Sequence, residues 1–78
     1  MTEIPVKKGV LVEIITEVET QIRSNSLNKG EKAQLFHELG SLYGMIGDLS
    51  QQKFAWQQAA QLCPDNDIIR QSLESIES

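Results

Sequence analysis

The chain has 78 residues and a formal charge of −4, seven Lys/Arg against eleven Asp/Glu, which allows one domain at most and gives no clustered cationic surface for nucleic acid. Its one cysteine, Cys63, has no disulfide partner within the chain, and together with the one histidine, His37, it cannot supply the four ligands of a structural zinc site. No apolar run approaches the ~20 residues of a membrane span, and residues 1–8 lack the charged-then-apolar layout of a signal peptide, so the expectation is a cytoplasmic protein without membrane contact or cofactor.

A first helix is expected over 6–23. Val10, Leu11, Ile14, Ile15, Val18 and Ile22 form one stripe at helical spacing, and Glu13, Glu17 and Glu19 cover the other side. Pro5 is tolerated at a first turn, where its missing N–H has no partner to lose. Residues 24–28 read as a turn. Asn28 and Glu31 then have the spacing of a capping box, in which each side chain satisfies a free backbone N–H of the other end.

The second helix, about 29–46, carries Leu35, Phe36, Leu39, Leu42, Tyr43 and Ile46 at three-and-four spacing. Gly47 suits the left-handed position that ends a helix. Asp48 can cap the next helix at once, with Gln51 completing a second box. That third helix, about 49–63, holds Phe54, Trp56, Ala59, Ala60 and Leu62 and is stopped by Pro64. Asp65, Asn66 and Asp67 offer capping oxygens to a fourth helix striped by Ile69, Leu73 and Ile76, with Ile68 beside the stripe. No segment alternates as a half-buried strand does, so the fold class is all-α, built of antiparallel helix hairpins.

The second and third helices are joined so tightly that they must fold back on one another. Gly40 sits inside a helix, where it costs about 1 kcal/mol relative to alanine. Close approach of the facing helix explains that cost, with Ala59 and Ala60 as its small residues and Trp56 filling the wedge where the pair diverges.

Phe36, Leu39, Gly40, Tyr43, Gly47, Asp48, Trp56, Ala59 and Pro64, in this order and spacing, resemble the tetratricopeptide repeat signature, with one complete repeat over 33–66. The resemblance implies a right-handed superhelical fragment of about four helices: a preceding half-repeat, the hairpin, and a capping helix at 66–77, where Glu74 and Glu77 stand in the places of glycine and tyrosine. Gln52 stands where the family has a small alanine, so its side chain must turn aside or widen the upper part of the hairpin.

What the resemblance implies about function is protein binding along the face lined by the first helix of each repeat. By position that face is Gln34, His37, Glu38, Ser41 and Met45, with Ile68, Gln71, Ser72 and Ser75 of the last helix as its neighbour. Where some relatives hold a partner's C-terminal carboxylate with lysine and asparagine, this chain has His37 and Ser41 with Glu38 between them. A neutral or basic peptide or helix therefore fits better than an anionic tail. A single repeat cannot bury both its faces, since about three are normally needed, so a homodimer or a place in a larger assembly is the companion expectation.

The alternative is a small acidic four-helix carrier of the acyl-carrier kind. It needs serine at a helix start, normally in Asp-Ser-Leu, and only Asn25-Ser26-Leu27 and Gly40-Ser41-Leu42 are on offer. Catalysis is not expected, because one His, one Cys and surface carboxylates make no positioned acid–base set. His37 reads first as a surface histidine and Cys63 as a small packing residue. The aromatic set is core, with Phe54 least accounted for and a candidate exposed contact.

Overall fold

The computed structural model describes residues 8–24 and 26–77 as four helices: α1 (Lys8–Ile22), α2 (Lys29–Met45), α3 (Leu49–Leu62) and α4 (Asp67–Glu77). Among the described residues there is no strand, and no helix is long and apolar enough to cross a membrane. The expected start of α1 at Val6, with Pro5 before it, lies outside the described residues.

The boundaries follow from local chemistry. Asn28 Oδ1 accepts the Glu31 N–H at 2.8 Å, and Glu31 Oε1 accepts the Asn28 N–H at 3.1 Å, which closes the capping box that starts α2. At its other end Gly47 takes φ 84°, a conformation open to glycine. The Gly47 N–H reaches the Gly44 carbonyl (3.1 Å) and the Asp48 N–H reaches the Tyr43 carbonyl (2.9 Å), the paired bonds of a Schellman ending.

This ending corrects the second capping box. Asp48 does cap α3, its Oδ1 accepting the Gln51 N–H at 3.2 Å, but its own N–H is already bonded to Tyr43 and the reciprocal bond to Gln51 is not made. Of the three capping candidates before α4, Asn66 is the one used, with Oδ1 3.1 Å from the Ile69 N–H.

The α2–α3 pair is the centre of the fold; α1 docks on α2 and α4 on α3. The antiparallel register of α2 and α3 can be read from their contacts. Gly44 lies against Gln52, Gly40 against Trp56, and Ala33 packs with Ala59. At the open end Cys63 Sγ lies 3.9 Å from the Lys29 carbonyl.

The close approach at Gly40 is made by a side chain and not by the facing backbone. A Cβ there would collide with Cδ1 and Nε1 of Trp56, so the indole occupies the glycine's notch instead of a wedge where the helices diverge. Gln52 does turn aside: its amide lies over Gly44, one turn further along α2, where a Cβ would strike it. Gly40 and Gly44 thus accept two large side chains in successive turns of α2.

The core has two parts. Ile15, Val18, Leu39 and Ala55 join α1, α2 and α3; Ala33, Ala59 and Ile69 join α2, α3 and α4; Phe36 packs against both. Ile69, fully buried, contributes about 2 kcal/mol of apolar burial and holds α4 in place. The α1 stripe divides on packing. Leu11, Ile15 and Val18 are buried against the protein, whereas Val10 and Ile14 stay exposed, because α2 is the principal helix against which α1 packs and covers only part of a stripe this wide.

Candidate functional site

The face expected from the sequence is formed by α2 and α4. Gln34, Glu38, Ser41 and Met45 are exposed on α2, and Ile68 and Gln71 are exposed on α4, so these side chains are available to a partner. His37 is half-buried and differs from them. Its Nε2 lies 2.7 Å from Ser72 Oγ, and its ring stacks on Trp56 with centroids 5.5 Å apart and planes 24° from parallel. His37 therefore ties α2 to α4. Ser41 Oγ donates to the His37 carbonyl (3.3 Å) and Ser75 Oγ to the Ser72 carbonyl (2.6 Å), so both hydroxyls are turned onto their own helices.

The serines considered as attachment points do not head helices: Ser26 precedes α2 in the connection and Ser41 lies within it. No group of three or more His, Cys, Asp or Glu side chains is placed to hold a metal among the described residues.

A second feature lies on the other side of α2, where α1 and α3 flank an apolar cleft of about 180 Å³. Phe36, Leu39 and Tyr43 line it from α2, Ile22 with Glu19 and Arg23 from the end of α1, and Phe54, Ala55 and Gln51 from α3. α1 and α3 thus stand apart just enough to leave room for one large side chain. Phe54, 55% exposed, forms an outer wall of the cleft.

The polar residue at this cleft is Glu19, and its position corrects the assignment of all three α1 glutamates to the solvent side. Glu13 and Glu17 are exposed, but Glu19 is half-buried and accepts a hydrogen bond from the Tyr43 hydroxyl at 2.9 Å. It sits between Ile15 and Ile22 at helical spacing, so it follows the rim of the apolar stripe. Burial, the hydrogen bond to Glu19, and the negative charges of Glu19 and Asp48 together raise the Tyr43 pKa above its ordinary value of 10.0. Among the described residues neither Glu19 nor Arg23 forms an ion pair; the pair present is Arg70–Asp67 at 3.7 Å on α4.

Sequence reasoning missed this cleft as a unit. Phe54 and Glu19 were each visible in the pattern, but what unites them is the spacing between α1 and α3, which no local signal encodes. No protein-family model matches the chain, and no curated protein and no solved structure matches it either.

Proposed function

We propose that this protein is a non-catalytic interaction module of tetratricopeptide type, which binds a neutral or basic peptide or helix of another protein. The observation that carries the reading is the α2–α3 hairpin. Gly40, Ala33, Ala55, Ala59 and Trp56 are taken up in close packing, Trp56 on Gly40 above all, while Val10, Val12, Ile14, Met45, Leu49, Phe54 and Ile68 remain exposed. Supporting it are the left-handed Gly47, the fully buried Ala59 and the helix end before Pro64, each at its place in the repeat signature. The right-handed superhelical arrangement belongs to the same proposal.

An apolar surface spread over two sides of a small, thinly cored chain is a surface that gains from being covered. Covering by a partner and covering by a second copy both satisfy it. The acidic residues Glu13, Glu17 and Glu38 among the exposed positions favour a partner without net negative charge.

Capture from the native source tests the reading, with the full chain compared against Gln34→Ala, Met45→Ala and Gln71→Ala combined. These three are exposed, whereas His37 is left intact because it holds α4. A partner retained by the wild type and lost by the variant supports binding on the α2–α4 face. A chain that captures nothing specific and stays a folded monomer at low micromolar concentration would sink the module reading.

A further inference from the structure

We infer that the α1–α3 cleft is a docking site for a single large apolar side chain of a partner protein, with a lysine or arginine one helical turn away meeting Glu19. This deepens the interaction-module reading and rests on it.

Size selects the occupant first. A cleft of about 180 Å³ is below the roughly 300–1,000 Å³ of sites that enclose small molecules, but it suits one anchor residue of the kind that dominates protein interfaces. Its walls are chemically matched to that anchor: Phe36, Leu39, Tyr43 and Phe54 are apolar or aromatic. Of these Phe54 is largely exposed, so covering it by a partner removes apolar surface from water.

Charge selects the partner's flank. Glu19 is held in position by the Tyr43 hydroxyl and forms no ion pair among the described residues, Arg23 at the same cleft included. Asp48 adds negative potential at Tyr43. A cation brought beside Glu19 meets a carboxylate whose place is already fixed, so little ordering is needed to form the pair. Arg23, just past the end of α1 at the same cleft, disfavours a further cation there. The recognised pattern is therefore one anchor with a cation on one side and a neutral or acidic residue on the other.

A second copy of this chain is the competitor, because Leu49 and Lys53 on α3 are exposed and one turn apart. Docking them would also bring Asp48, the residue before Leu49, toward a mouth lined by Glu19, where the receiving copy's own Asp48 already acts on Tyr43. Like charges at that point disfavour the self-association.

The test is selection of displayed random short peptides on the full chain, followed by binding of synthetic copies measured by fluorescence anisotropy. Enriched peptides are expected to carry a large apolar residue with Lys or Arg one turn away. Phe54→Ala, at an exposed position, is expected to weaken them about tenfold, and Glu19→Gln, which keeps an acceptor for Tyr43, severalfold. Glu19→Lys should shift the selection toward acidic flanks. The inference is overturned by enrichment of acidic peptides on the wild type, or by peptides that bind equally well to Phe54→Ala and Glu19→Gln. It is equally overturned by light scattering that shows a dimer dissolved by Phe54→Ala. Peptides that resist these changes but fail on the Gln34/Met45/Gln71 variant leave the module reading standing without the cleft. No enrichment at all, from a chain shown folded by circular dichroism, removes the cleft proposal and weakens the module reading with it.

Discussion

The carbonyl of His37 accepts the indole N–H of Trp56 at 2.8 Å, while the imidazole of the same residue stacks over that indole. One residue of α2 thus fixes the Trp56 ring from two directions, and the ring's remaining side fills the space above Gly40. Because His37 also reaches Ser72, the placement of Trp56, the hairpin spacing and the docking of α4 depend on a single cluster.

Gly40 and Gly44 of α2 should respond oppositely to alanine. At Gly40 the added carbon meets an indole pinned by its hydrogen bond, so overpacking of about 1–3 kcal/mol outweighs the gain in helix propensity, and a net loss of about 1–2 kcal/mol is expected. At Gly44 the obstacle is the end of the Gln52 chain, which can rotate away. Gly44→Ala is expected to be neutral or to stabilise by up to about 1 kcal/mol. Urea denaturation of the two variants decides it; equal losses would show that Gln52 is as fixed as Trp56.

The turn between α2 and α3 separates two kinds of cap. Gly47→Ala places a side chain at φ 84° and should cost about 1–2 kcal/mol. Asp48→Ala removes the bond to the Gln51 N–H and should cost about 1 kcal/mol. Gln51→Ala should change thermal stability little, since its side chain closes no box. A large loss at Gln51 would contradict the Schellman assignment.

Tyr43 gives the fold a dependence on high pH. Its pKa lies above 10.0 in the folded chain, so the folded state holds the phenolic proton more tightly than the unfolded chain does. The associated stability is complete below pH 10 and is lost as pH rises through the folded value. Tyr43→Phe should flatten this decline, and near neutral pH it should cost about 1 kcal/mol for the hydrogen bond to Glu19. Denaturation midpoints across the alkaline range check both; an unchanged slope would rule out Tyr43 as its source.

His37→Ala should loosen α4 more than it loosens α1. It removes the bond to Ser72 and the stacking on Trp56, while leaving the backbone carbonyl that holds the indole. Hydrogen exchange read by mass spectrometry should show faster exchange across 67–76 and little change across 11–22. Uniform acceleration would mean that the cluster supports the whole fold and not the last helix in particular.

Much of the fold is legible in the order of residues because helix boundaries are local. Asn28 with Glu31, Gly47, Asp48 and Asn66 act on backbone groups within three or four positions of themselves, and each is found at the end it announces. The hairpin is legible for a similar reason. With Gly47 and Asp48 ending one helix and starting the next, α2 and α3 have no freedom but to pack face to face.

The expected binding face was legible only as a set of positions. Gln34, Glu38, Met45, Ile68 and Gln71 are exposed, but nothing local marks His37 as the residue tied to Ser72, because its partner is 35 positions away.

Only tertiary structure decided which neighbour each amphipathic residue would meet. Periodicity gives α1 one wide apolar stripe, but the width of α2 determines that Leu11, Ile15 and Val18 are covered and that Val10 and Ile14 are not. The same placement turns Glu19 from a solvated glutamate into the acceptor for Tyr43, and leaves the gap walled by Phe54. Capping and turn chemistry are properties of a few adjacent residues; a cleft is a distance between helices, and that distance is set by every side chain packed between them.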